Sequence, residues 1–451
     1  MILQGDVLDK LAEIDTESVH CVVTSPPYWG LRNYNLPPQV WDDSGGCEHE
    51  WGPDITAQKR GARGDKSKST LDGRKPVDGD DRILKLQQGQ FCHLCNAWRG
   101  SLGLEPTPEL YLQHMVEVFR KVRRVLRKDG TVWLNMGDSY WGGGGGNYGG
   151  NQKSVKGREG SHITNVKNRY NPPGLKPKDL CGIPWRLALA LQNDGWWLRS
   201  DIIWAKPNPM PESVTDRPTR SHEYVFLLTK SARYFYDTEA VRERYSEASL
   251  ADPRDNKDGH RRERDYPGQQ SVGGTNLGGN RAAGRNLRSV WNIATQPFLG
   301  AHFATFPEKL VVRCIVAGTS AKGCCPECGA PWERSTKPSD RYQAVLGEGY
   351  HDHSADLEKG MKSVRGANKQ NKIRDAGISG KELVTLGWRP TCECGGEPVP
   401  AVVLDPFLGS GTVGKVAQDL GRAGIGIELN PDYCEMARER TRHPQELLRL
   451  G

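Results

Sequence analysis

No stretch of this sequence approaches the roughly 20 consecutive apolar residues of a membrane-spanning helix, and its opening, MILQGDVLDKL, lacks the basic and apolar regions of a secretory signal. Neither a membrane protein nor a secreted one is expected. Apolar residues are scarce overall: 36% of the chain is hydrophobic and the mean hydropathy is −0.66, low for one compact core of 451 residues. Gly (53) and Pro (29) are abundant by contrast. An α/β core of roughly 200 to 250 residues interrupted by polar, loop-rich excursions fits that usage. Also missing is a disulfide framework, because the twelve cysteines fall largely into close pairs. In a large unsecreted chain such pairs read as metal ligands or redox sites.

CEHEW supplies Cys47 and His49, and FCHLCNAWRG supplies Cys92 and Cys95. CCPECGAPW supplies Cys325 and Cys328, and TCECGG supplies Cys392 and Cys394. Two short-range pairs separated by tens of residues are how a structural zinc joins the ends of an insertion. Two zinc sites are expected, one of three cysteines and a histidine and one of four cysteines, with His93 or Cys324 able to replace a neighbour. Cys21, Cys181, Cys314 and Cys434 stand singly and read as core residues.

The net charge of +7 is unevenly placed. Residues 143–178 carry seven Lys/Arg against one acid, Glu159, and residues 251–290 carry eight against five. Basic, Gly- and Asn-rich segments containing Tyr148, Tyr170 and Tyr266 suit a phosphate backbone. A solvated charged loop is the plainer alternative.

Along the chain, VHCVVT (19–24) reads as a short buried strand. Residues 107–127 place Leu110, His114, Val118, Val122 and Val125 at helical spacing behind a Thr107 cap, and TVWLNM follows as a second buried strand. A helix over 184–193, the strand WLRSDIIWAK, two strands within EYVFLLTKSARYFYD and a helix over 307–317 come next. AVVLDPFLGSGTVGKVAQDLGRAGIGIEL ends the series as strand, Gly loop, helix and strand. This alternation makes the class α/β with a mostly parallel sheet.

Two stretches carry chemistry. In TSPPYW (24–29) the prolines end a buried strand and leave a rigid corner with a hydroxyl, a free carbonyl and two rings. In DPFLGSG, Gly409 and Gly411 permit a close turn beneath a ligand, and Glu428 ends the next strand about 20 residues on, placed for ribose hydroxyls. GSGTVG matches the dinucleotide fingerprint in letters, but Asp405 repels a pyrophosphate and suits an amino group. S-adenosylmethionine, with its ammonium, sulfonium and ribose, fits better than NAD.

TSPPY followed by DPFLGSGT resembles the amino-methylating DNA methyltransferases in the permuted β-class order, with the catalytic half before the cofactor half. LQGD, KPNPMPESVTDRPTRSHEYVFLLTKSARYFYD and HFATFPEKL agree with it, and the likeness covers roughly half the chain. The resemblance implies a Rossmann-like methyltransferase fold with helices on both faces of the sheet, S-adenosylmethionine as cofactor and double-stranded DNA as partner. It also implies a cytoplasmic, nucleoid-associated setting in a bacterium, archaeon or phage, and it admits a cognate restriction endonuclease.

Residue by residue, it implies that Asp6 approaches the adenine, that Phe306 and Pro307 line the methionine end, and that Asp405, Phe407, Gly409, Ser410, Gly411 and Thr412 surround it. Glu428 would hold the ribose. Asp6 as a helix cap and Phe306 as core are the bland alternatives. Ser25 and the Pro26 carbonyl, stiffened by Pro27, would accept hydrogen bonds from the amino group of a flipped base, with Tyr28 stacked on it. In that family Ser at the first tetrad position tends to accompany cytosine N4 and Asp adenine N6. Cytosine N4 is therefore the expected target, adenine N6 the alternative, and an inactive zinc-stabilised DNA-binding protein a third reading.

The expected segments are residues 1–41 (core with TSPPY), 42–103 (first metal insertion) and 104–240 (core with the basic loop 143–178). They continue with 241–290 (variable, target recognition), 291–320 (cofactor-side core), 321–396 (second metal insertion) and 397–451 (cofactor motif and C-terminal helix).

Overall fold

The computed structural model describes residues 1–31, 36–43, 45–53, 56–59, 84–87, 89–141, 174–243, 285–296, 306–340, 344 and 383–442. Most of the 143–178 loop, most of the 241–290 region and parts of both insertions lie outside the described residues. The chain divides into two compact units, the first comprising Met1–Phe235, Ser289–Ala321 and Pro400–Gly451, the second Tyr236–Arg288 and Lys322–Val399.

In the first unit, β1 (Ile2–Gln4), α1 (Val7–Glu13) and β2 (Val19–Thr24) open the chain. The first insertion contributes β3 (Gln39–Trp41), β4 (Thr56–Lys59), β5 (Leu84–Gln87), β6 (Gln90–Phe91) and β7 (Trp98–Gly100). Next come α2 (Pro108–Val125), β8 (Leu126–Met136), α3 (Ile183–Asn193), β9 (Trp197–Ala205), β10 (His222–Thr229), β11 (Val290–Asn292) and α4 (Glu308–Gly318). The second unit holds β12 (Trp332–Pro338) and β13 (Leu383–Pro390). The chain returns to the first unit with β14 (Val402–Asp405), α5 (Thr412–Asp419), β15 (Ala423–Glu428) and α6 (Pro431–Thr441).

Eight strands form the central sheet in the order β1-β15-β14-β2-β8-β10-β9-β11. Only β10 runs against its neighbours, so the sheet is mostly parallel and is flanked by helices. β2 is paired on both sides and all six of its residues are buried, as its unbroken apolar run requires. Because β2 and β14 are parallel neighbours, in register at Val403 and Cys21, the chain leaves both strands on the same edge of the sheet. Ligands of open α/β sheets bind at that carboxyl edge.

Most expected elements are present. Thr107 caps α2 by accepting from the Leu110 N–H, with Pro108 in the first turn. The four single cysteines are buried. EYVFLLTKSARYFYD, however, forms one strand and not two: after Thr229 the chain bends, with Thr229 Oγ1 donating to the Ser231 carbonyl at 2.8 Å. Lys230 is drawn away to Glu17 at 2.8 Å and to the Leu126 carbonyl at 3.0 Å, which ends the pairing.

The helical face of α2 includes one polar residue, His114, and the fold uses it to attach the first insertion. Its Nδ1 lies 3.0 Å from Glu105 Oε1 and its Nε2 3.0 Å from Asp42 Oδ2. The Trp41 and Trp98 rings stack on it at 4.8 and 5.3 Å. Burial works against the charged ring, but the two carboxylates outweigh it and hold His114 above the usual histidine range. Replacing His114 with Phe leaves both acids without their cation, and the Glu105 side chain is fully buried. We expect H114F to lose about 3 to 5 kcal/mol of stability in urea unfolding; a loss under about 1 kcal/mol would show that the triad carries no net charge pairing.

Candidate active site

At the carboxyl edge of the sheet, Thr24 Oγ1 donates to Asp405 Oδ1 at 2.7 Å, a buried bond between residues 381 apart in sequence. The same oxygen accepts from the Phe407 N–H at 3.0 Å. Asp405 Oδ2 takes no hydrogen bond among the described residues. Burial raises this carboxyl to about 7, against the opposing hydrogen bonds from Thr24 and Phe407.

The turn after Asp405 is shaped by two glycines. Gly409 has φ 52° with open space where a Cβ would stand, so the loop presents bare backbone there. Gly411 has φ 84°, and a Cβ would come within 2.7 Å of Ala437 Cβ on α6. Glu428 closes the turn from the next strand: its Oε2 accepts from the Gly409 N–H and its Oε1 from the Asn430 N–H, each at 2.8 Å. Burial raises its carboxyl despite those bonds.

Ser410 and Thr412 face the other way. Both hydroxyls accept from Arg440 Nη1, at 2.9 and 3.1 Å, and both residues are buried. Asp6 caps α1, its carboxylate accepting from the Leu8 N–H at 2.8 Å, and the Gly5 N–H donates to the Glu428 carbonyl at 3.0 Å. The cap therefore stands beside the end of β15. Phe306 lines a narrow cleft with Thr24, Trp133, Asn135 and Leu310, while Pro307 is buried at the N-cap of α4. Phe407 is half-buried against the core.

TSPPYW is fixed from several sides. Tyr111 Oη donates to the Pro27 carbonyl at 2.8 Å, and Trp29 Nε1 donates to the Glu105 carbonyl at 2.9 Å. The Trp29 ring stacks on Trp141 at 5.5 Å, and the Gly30 N–H donates to the Gly103 carbonyl at 2.9 Å. Ser25 is half-buried at the turn, and its Oγ donates to Tyr28 Oη at 3.1 Å. Tyr28 Oη donates in turn to Glu223 Oε2 at 2.9 Å.

Glu223, Asn135 and Lys206 escaped the sequence reading. Asn135 Nδ2 donates to Glu223 Oε2 at 3.1 Å, and Lys206 Nζ pairs with Glu223 Oε1. The one available signal was an acid at the start of the apolar strand HEYVFLLT. The structure thus gathers the TSPPY residues, Asp405, the glycine turn and Glu428 along one edge of the sheet in the first unit.

Both sets of expected metal-ligand residues converge as candidate clusters. Cys47, His49, Cys92 and Cys95 bring their ligand atoms within 4.8 Å of one another, and so do Cys325, Cys328, Cys392 and Cys394. The two CxxC turns share one backbone design. The Cys92 N–H donates to the Ala97 carbonyl and the Cys325 N–H to the Ala330 carbonyl, each at 2.8 Å. The residue after the second cysteine is left-handed in both, Asn96 at φ 62° and Gly329 at φ 68°. Backbone N–H groups of Cys328 and Glu327 aimed at the Cys325 sulfur lower its thiol to about 7, towards the thiolate form.

A family profile described as DNA methylase, of the N6/N4 methyltransferases, matches residues 19–325 and 398–439. The Type II methyltransferase M.Cfr9I of Citrobacter freundii is 34% identical over 447 residues, 97% of this chain and 86% of its own. M.SmaI of Serratia marcescens is 34% identical over 442 residues, 97% and 89%. Among solved structures, PvuII DNA methyltransferase (cytosine-N4-specific) aligns over 98% of this chain and 86% of its own with a TM-score of 0.42 and 14% identity. With the profile spanning most of the sequence and full-length relatives at this identity, the chain belongs to the DNA methylase family of N4-cytosine and N6-adenine amino-methyltransferases.

Proposed function

We propose that the protein methylates the exocyclic amino group of a base flipped from duplex DNA, with S-adenosylmethionine as donor and cytosine N4 as target. The observation that carries this reading is the Thr24–Asp405 bond, which sets a hydroxyl-bearing turn one residue from a buried carboxylate. The site fits the cofactor: Asp405 keeps an oxygen for an ammonium, the turn at Gly409 has space for a ligand against bare backbone, and Glu428 stands at the next strand end. When bound, the cofactor supplies an electrophilic methyl on a sulfonium. The permuted order follows the chain, TSPPY before DPFLGSG.

An exocyclic amino nitrogen is a poor nucleophile because its lone pair is delocalised into the ring. Ser25 Oγ and the Pro26 carbonyl would accept hydrogen bonds from its two N–H groups and stabilise the positive charge that grows on nitrogen as the N–C bond forms and the methyl's bond to sulfur breaks, after which nitrogen loses one of those protons. The Pro27 carbonyl is already taken by Tyr111, which leaves Pro26 as the carbonyl of the pair. Ser25 at the first position of the tetrad favours cytosine through the family resemblance. The sets Cys47, His49, Cys92, Cys95 and Cys325, Cys328, Cys392, Cys394 each hold a structural zinc; four ligand atoms at that spacing suit a tetrahedral ion.

Methylated DNA digested to nucleosides is expected to yield N4-methylcytosine by mass spectrometry, and N6-methyladenine alone would replace the target base. Ser25→Ala should cut turnover by about 100-fold with cofactor affinity unchanged, since its hydroxyl faces the base; equal loss of both would contradict that role. Metal analysis of the purified protein should return two zinc ions per chain, and a metal-free protein of full stability would dismiss both centres.

Asp405 must be ionised to hold an ammonium. Below about 7 its carboxyl is protonated in the free protein, so the cofactor Kd should rise about tenfold for each unit that the pH falls below that value and be flat above it. Calorimetric titration from pH 5.5 to 8 checks this, and Asp405→Asn should bind weakly without the slope. For the ligand-free fold the sign is opposite: a raised carboxyl gives stability at low pH that is lost as pH rises through about 7.

A further inference from the structure

A hydroxyl differs from a carboxylate in one respect that matters at Ser25: it carries a proton of its own. A serine facing an amino group can present either lone pairs or its O–H, and only the first helps methyl transfer. A device that holds the proton elsewhere is needed.

Such a device is built into the first unit. Ser25 Oγ donates to Tyr28 Oη at 3.1 Å, and Tyr28 Oη donates to Glu223 Oε2 at 2.9 Å. The chain has one polarity because its end is anchored. Lys206 Nζ pairs with Glu223 Oε1, its ammonium also 4.4 Å from the centroid of the Trp204 ring, and Asn135 Nδ2 donates to Oε2 at 3.1 Å. Asn135 is held in that orientation by a second donation, to the Tyr224 carbonyl at 3.1 Å. With donors on both of its oxygens, Glu223 acts only as an acceptor. Tyr28 must then donate to it, and Tyr28 Oη is left to accept from Ser25. Burial, foremost, and the neighbouring Glu223 keep the phenol protonated. Gly137 makes room, since a Cβ there would lie 2.8 Å from Tyr28 Cε2 and 3.3 Å from Glu223 Cδ.

We infer that Glu223 is a positioning residue that acts through Tyr28 to turn the Ser25 proton away from the target, so that Ser25 offers the amino group lone pairs only. The inference rests on the amino-methylation reading above. Polarisation along the chain also raises the electron density on Ser25 Oγ. Tyr28 consequently has a polar duty in addition to the stacking expected of its ring.

Glu223→Gln tests the polarity. The Lys206 ammonium keeps the amide oxygen, so the amide nitrogen falls on the Tyr28 side, where it donates to Oη and displaces the Asn135 amide, which retains its bond to the Tyr224 carbonyl. Tyr28 then donates to Ser25, and the Ser25 proton points at the amine. Tyr28→Phe breaks the chain without disturbing the Lys206–Glu223 pair. Each variant is expected to lower kcat by about 10- to 100-fold with the cofactor Kd within about twofold of the unmodified protein. The double variant should lose no more than the worse single one, because the two residues form one path. Losses that multiply in the double variant, or full turnover in either single one, would overturn the inference while leaving the methyltransferase reading intact. Should E223Q fail to fold, Y28F alone decides, since it keeps the ion pair. An unmodified protein that transfers no methyl to any DNA overturns both readings.

Discussion

The 2.7 Å bond from Thr24 to Asp405 is the constraint on which the site depends. It joins the ends of β2 and β14, parallel neighbours separated by 381 residues of chain, at the point where both strands stop. The prolines end β2 by removing donors from the ladder, and Asp405 ends β14 by turning its carboxylate back on the Phe407 N–H. Two abrupt stops side by side bring the TSPPY turn and the glycine turn to one edge of the sheet. A buried carboxylate whose bonds from Thr24 and Phe407 both fall on one oxygen is costly, and burial accordingly raises it.

What was legible in the sequence was whatever the chain writes locally. The VHCVVT strand, the capped helix after Thr107, the CxxC turns and the glycine turn each follow from residues close together, and the structure contains them. The sequence did not reveal the partners those pieces find across the fold. Glu223 is separated from Tyr28 by 195 residues and Asp42 from His114 by 72, and no periodicity links them. His114 shows the difficulty well: its spacing marked it as part of the buried face of α2, but only the fold supplies the two acids that make a buried imidazole tolerable. The strand ends at Thr229, where the sequence placed the joint, but the second strand expected after it does not form: the Phe235 N–H donates to the Asp129 carbonyl at 2.8 Å instead.

The two cysteine clusters illustrate how one local rule serves two units. Each CxxC turn needs a left-handed residue after its second cysteine, and Asn96 and Gly329 meet it with different chemistry. Glycine does so without a side chain, whereas asparagine is among the few other residues that enter this region readily. Behind the first turn, Cys92 leads through Ala97 to the buried Trp98, which lies against His114, and the Glu105 carbonyl beyond holds Trp29. The first cluster is thereby tied mechanically to TSPPYW.

The second insertion is closed at its neck. Cys324 and Val399 exchange backbone hydrogen bonds in both directions, at 2.8 and 2.9 Å, so the chain enters and leaves at a single point. The entropy of closing whatever hangs beyond such a neck grows only with the logarithm of its length. The segment between Pro338 and Leu383, whose ends are paired in β12 and β13, can therefore lengthen or shorten with little thermodynamic penalty to the sheet. In evolutionary terms the neck is a socket, through which a fixed chemistry can acquire new accessory surface without rethreading its core.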